Sequence, residues 1–209
     1  RDHCLPGPQS VFTTMLRPTF SWLSGGPSVV LLTIVLLALL QALPSSWHQL
    51  LRYERHAVLD GELWRLWTGH LIHLGWAHWG LNTMGLLLCG LLTDHWPHAR
   101  VLLMRVLSLS LFISAGFVLL MPSLSQYVGL SGVLYGLYVL ALWPGVSRRD
   151  PLAVIALLLV LAWLAWQWLV GPAQQEVALI GGDIIFQAHG YGIAGALLMV
   201  LVQRRRVRL

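Results

Sequence analysis

Apolar runs recur along this chain too often, and at too regular a length, for a protein that faces water. They lie near Val29 to Leu43, Trp76 to Leu92, Val101 to Met121, Gly132 to Trp143, Pro151 to Val170 and Gly182 to Val202. In hydrocarbon, every backbone N–H and C=O must be satisfied within the protein, so only helices and closed barrels span it. Runs this long, without strict alternation, select helices. Pro122, Pro144, Pro151 and Pro172 stand where those helices are expected to end or begin, and Pro27 and Pro44 bracket the first.

The chain has 209 residues, of which 57% are hydrophobic and 10% charged; soluble domains carry about 25% charged residues. At roughly 20 residues per span, six helices and short loops fill it. The expectation is an all-α membrane protein with one six-helix domain at 27–203. An N-terminal segment, 1–26, precedes it and a basic tail, 204–209, follows. The predicted spans are 27–44, 76–92, 101–121, 131–143, 151–170 and 182–202. No internal repeat is visible, which weighs against a transporter built from repeated halves. No cleavable signal peptide is expected, because the first long apolar run is followed by many more.

The stretch 45–75 reads differently. Arg52, Glu54, Arg55, Asp60, Glu62 and Arg65 alternate with Trp47, Tyr53, Trp64 and Trp67. It is too charged to span and too aromatic for a free loop, so a partly submerged interfacial element is expected.

The formal net charge of +5 comes from thirteen basic residues, all arginine. Clusters at Arg148–Arg149 and Arg204–Arg208 lie between or after apolar runs, where they orient helices rather than bind nucleic acid. Placing the C-terminal cluster in the cytoplasm puts both termini there. The start of the second span, the 122–130 loop and the start of the sixth then share the outer side. Cys4 and Cys89 form no disulfide framework.

Polar groups inside apolar runs need a reason. Gly129-Leu130-Ser131-Gly132 places a serine at the start of a helix, where free N–H groups and the dipole favour a developing anion. Gly132 and Gly136 also make a small-xxx-small pair, so helix packing is the plain alternative. His189, followed by Gly190 and Gly192, lies in the last run and could act as a general base, or simply bond across helices. His78 and Asn82, four apart, share one helix face and could point donors at one oxygen. With His70 and His73 nearby, metal binding competes with that reading, but no carboxylate or cysteine completes a ligand set. Serine, histidine and a donor pair together supply the parts of acyl transfer. No acidic third member lies in the apolar runs, so a Ser–His dyad is the natural reading.

These motifs, in this order over roughly residues 60–200, resemble the rhomboid family of intramembrane serine proteases. They are Trp64-Arg65 followed by His73, His78 and Asn82; Gly129-Leu130-Ser131-Gly132 with Tyr135; and His189 followed by Gly192. The resemblance implies Ser131 as nucleophile and His189 as base, without cofactor or metal. It implies an oxyanion hole from His78, Asn82 and the Ser131 backbone N–H, with Tyr135 packing on the histidine ring. Trp64 and Arg65 would anchor a membrane-embedded first loop, and the fifth helix with Trp163, Trp166 and Trp168 would be a mobile gate.

A narrower resemblance, carried by Tyr127–Leu137 and Gly61–Leu66, is to the bacterial rhombosortases. It implies substrates anchored by a C-terminal Gly-Gly motif, an apolar helix and a basic tail, which are hydrolysed or transferred to an amine. The site would lie in the inner membrane and open to the periplasm. A general rhomboid protease, a non-catalytic rhomboid-like protein and a metal-handling membrane protein are the alternatives.

Overall fold

A computed structural model describes residues 26–93 and 98–208. The expected N-terminal segment falls outside the described residues except for Gly26. The helices follow in order: α1 (Gly26–Gln41), α2 (Ser45–Leu51), α3 (Arg55–Leu59), α4 (Arg65–Thr68), α5 (Trp76–Leu91), α6 (Ala99–Leu120), α7 (Ser131–Ser147), α8 (Pro151–Val170), α9 (Gln174–Ile180) and α10 (Phe186–Arg208). Two short strands, β1 (Tyr53–Glu54) and β2 (Gln126–Tyr127), pair antiparallel with Tyr53 opposite Tyr127.

Among the described residues three helices, α6, α8 and α10, are long and apolar enough to cross a membrane. A fourth is reached if α1 and α2, bent by 114° at their junction, count as one span. Helices α5 and α7 have 16 and 17 residues. At 1.5 Å per residue they fall a few ångströms short of a ~30 Å hydrocarbon core.

Burial shows which helix is central. α7 is apolar all round and buries nine residues, from Gly132 to Gly145, as a helix enclosed by others must. α8 is equally apolar but buries only Ala153 and Gln167, so most of its surface faces outward. α7 runs on through Pro144 to Ser147, although that proline was expected to end it. Within the last turn, a proline forfeits one backbone bond and leaves most of the helix intact.

Glycine brings α7 and α10 together. A Cβ at Gly136 would stand 2.7 Å from the Gly192 carbonyl, and one at Gly132 would stand 2.9 Å from the Ala188 carbonyl. The backbones approach this closely only because those positions carry no side chain. The two helices run parallel: Ser131 meets His189 at one end, and Arg204 donates to Ser147 Oγ at 3.1 Å at the other.

The stretch 45–75 is ordered by its own charges. Arg55 donates to the Phe117 and Val118 carbonyls, each at 3.1 Å, closing the C-terminal end of α6. Glu54 caps α3 by accepting the N–H groups of Ala57 and His56. Those bonds, that to Ala57 foremost, hold its carboxyl below the usual range. Buried Arg65 reaches Glu62 at 2.6 Å and the Gln49 and Arg52 carbonyls at 2.8 Å each.

The last two elements depart from the expected boundaries. α9 breaks the loop before the final helix, and Gly181, with φ of 78°, ends it in the left-handed region. α10 therefore starts at Phe186 rather than 182 and carries the basic cluster as a continuation of the helix to Arg208.

Candidate active site

Ser131 is the first residue of α7, preceded by a loop pinned from two sides. The Gly129 N–H donates to the Gly69 carbonyl at 3.0 Å, and the Tyr127 hydroxyl donates to the Gly129 carbonyl at 2.9 Å. Gly129 has φ of 121°, and a Cβ there would lie 2.6 Å from the His78 ring. Backbone conformation and space thus both demand glycine.

His189 sits in the first turn of α10, almost fully buried. Its Nε2 lies 3.0 Å from Ser131 Oγ, joining residues 58 apart in the chain. Its ring stacks on Tyr135, with centroids 4.3 Å apart and planes 8° from parallel. Its other nitrogen, Nδ1, lies 2.9 Å from Gln167 Oε1 of α8. A neutral imidazole with its lone pair toward a serine hydroxyl can take that proton as an acyl bond forms.

His78 and Asn82 are both buried on α5. The Leu74 N–H donates to His78 Nδ1 at 3.4 Å, which leaves the hydrogen of the neutral ring on Nε2, the nitrogen beside Gly129. Asn82 Nδ2 donates to the His78 carbonyl at 3.1 Å and retains a second N–H. Both residues line one cleft of about 1050 Å³ with Ser131 and His189. Donors so placed can meet an oxygen that gains charge beside the serine.

His73 also lines this cleft, its ring edge-on to His78 at 5.1 Å. Burial, reinforced by His78 and His48, pushes its pKa down to about 3, so it is neutral at ordinary pH. His70 instead points away, with Nε2 3.0 Å from Ser114 Oγ. Among the described residues no three His, Cys, Asp or Glu side chains converge to hold a metal ion.

The remaining residues singled out in the sequence lie in the stretch 45–75, between α7 and α10, and on α8. Trp64 donates from Nε1 to the Leu50 carbonyl at 3.3 Å, and with Arg65 braces the stretch 45–75. Gly192 lies against the Gly132 carbonyl and brings their helices together. Of the α8 tryptophans, Trp163 lines the cleft and Trp168 packs edge-on against Phe186.

Gln167 escaped the sequence reading. Its signal was present: apart from the tryptophan N–H groups it is the sole polar side chain in the run Pro151–Val170, and such a group in a membrane helix asks for a partner.

Compared with known protein families, residues 60–206 match the Rhomboid domain. No curated protein matches the chain.

Proposed function

The chain belongs to the rhomboid family of intramembrane serine proteases, and from that premise we propose that Ser131 and His189 form its catalytic dyad. The observation that carries the assignment is the 3.0 Å contact between His189 Nε2 and Ser131 Oγ. As Ser131 Oγ attacks a scissile carbonyl carbon, its proton passes to His189 Nε2. The carbonyl oxygen takes up negative charge and is met by the Ser131 backbone N–H, His78 Nε2–H and the free Asn82 N–H. The C–N bond then breaks, and the imidazolium returns the proton to the departing amine. Water, activated by the same imidazole, releases the acyl-enzyme; an amine taking its place would give transfer.

The proposed topology has six spans, with α1, α5 and α7 as short ones. Two observations support it. The parallel course of α7 and α10 leaves room for one return crossing, by α8. Arg148 and Arg149 follow α7 at the end where Arg204 meets Ser147, so both basic clusters share one side. That side is the cytoplasm in this reading, and the Ser131 end faces the periplasm of a bacterial inner membrane.

The substrate class proposed is that of the rhombosortases: secreted proteins ending in Gly-Gly, an apolar helix and a basic tail. Support comes from the Tyr127–Leu137 and Gly61–Leu66 phrases. The test compares wild type and Ser131→Ala in membranes against a reporter with such a tail. Wild-type-only cleavage near Gly-Gly is the expected result. Serine-dependent cleavage of a general rhomboid substrate alone would keep the mechanism and discard the branch.

A further inference from the structure

We propose that Gln167 is a third member of the hydrogen-bonded relay, a positioning residue that fixes the tautomer and orientation of His189. This rests on the reading of Ser131 and His189 as the dyad.

Gln167 is 1% exposed, the only polar residue that α8 buries. Its Oε1 lies 2.9 Å from His189 Nδ1, across 22 residues of sequence. An amide oxygen can only accept, so Nδ1 must carry the hydrogen and Nε2 the lone pair. Nε2 is the nitrogen at Ser131 Oγ, so this is the tautomer that can receive the serine proton. Tyr135 stacks on the ring and holds its plane, but a stacking contact does not distinguish one ring nitrogen from the other. Among the described residues, the Gln167 oxygen facing Nδ1 makes that distinction.

Stability does not account for the residue. The Gln167 Nε2 is buried without a partner among the described residues, and a buried amide left half unpaired is unfavourable against an apolar side chain of like volume. The single bond the side chain makes is the one to His189. When His189 takes the serine proton, that bond becomes charge-assisted and strengthens as the positive charge develops.

A fluorophosphonate probe tests this without knowledge of the substrate. In its reaction Ser131 Oγ bonds to phosphorus, the P–F bond breaks, fluoride leaves and the serine proton goes to His189. The full chain in membranes or detergent is assayed for the maximal labelling rate and for probe affinity. Gln167→Met keeps the volume but removes the acceptor; Gln167→Asn keeps an amide but falls one methylene short. Both should lower the maximal rate about 10- to 100-fold with affinity unchanged. Gln167→Glu, which presents an acceptor oxygen at the same place, should remain within a few-fold of wild type. Packing would give the opposite order, with Met tolerated. Met and Asn variants within about threefold of wild type, or a Glu variant as slow as Met, would overturn the proposal. If Gln167→Met fails to fold, the comparison of Asn with Glu decides alone. Labelling of Ser131→Ala, or none of wild type, would instead overturn the dyad beneath it.

Discussion

Gly192 of α10 lies against the carbonyl of Gly132 in α7, so closely that a Cβ on Gly192 would claim the space of that oxygen. The contact is backbone on backbone and has no flexible side chain to yield. It stands one turn beyond His189 and one residue beyond Ser131, so the spacing of the two helices there also sets the spacing of the proposed dyad.

Gly192→Ala should therefore force the helices apart. Overpacking of this kind costs about 1–3 kcal/mol, and a misplacement of ~1 Å at reacting groups costs roughly 10²-fold in rate. Thermal midpoint and probe labelling should fall together. Gly190→Ala is the control: its Cβ would meet only Trp168, at 3.6 Å, an ordinary contact, and should change little. Equal damage from both would show that helix spacing is not the cause.

Ser131→Ala should abolish cleavage while leaving a folded, membrane-inserted chain. His189→Ala should be nearly as severe, since a serine hydroxyl without a base is a poor nucleophile. Cleavage of a reporter by purified variants checks both, and persistent cleavage by Ser131→Ala would remove the nucleophile assignment.

Asn82→Ala should be milder. One lost donor at an oxyanion typically costs about 10²–10³ in turnover, and the His78 and backbone donors remain. Steady-state kinetics should show the loss in kcat rather than KM; a variant as inactive as Ser131→Ala would break the oxyanion account.

Arg65→Met would strip the Gln49 and Arg52 carbonyls of their shared donor and break the ion pair to Glu62. Bonds from a charged donor are worth about 1.5–3 kcal/mol each, so the thermal midpoint should drop by several degrees. Arg65→Lys keeps the charge but loses the planar fork and should recover only part of it. Full recovery would mean that charge, and not geometry, holds the stretch 45–75.

His73 gives a pH signature. Its folded pKa, lowered by burial first and by His78 and His48 next, is about 3 against an ordinary value of 6.5. Between those values the unfolded chain binds more protons, so stability rises with pH and acidification favours unfolding. His73→Asn removes the group and should flatten the loss of thermal midpoint as pH falls from 6.5 toward 3. An unchanged slope would assign the acid sensitivity elsewhere.

The long helices were legible because each carries its signal locally, in apolar length and proline punctuation. What joins them was not. The role of Arg55 as the closing group of α6 depends on carbonyls 62 and 63 residues away, and no local pattern announces such a partner. That 45–75 differs from the apolar runs could be read from its tryptophans and arginines, but not its strand pairing with Gln126–Tyr127. α9 was missed because seven residues between glycines are too few to establish a period. In the site, glycines, serine and histidine stood out against their apolar surroundings. So did Gln167, but its meaning depends on α8 crossing α10, and a single amide does not predict a crossing.

The pairing of Ser131 with His189 across 58 residues has a consequence for biosynthesis. With this dyad, a growing chain that has inserted everything through α8 holds a nucleophile without a base, because His189 has yet to emerge. The serine loop is pinned by the earlier contact with Gly69, so its shape can be set before reactivity arrives. Proteolytic competence then comes only with the docking of α10, and a chain that stalls or is cut short before it stays inert toward its neighbours in the bilayer.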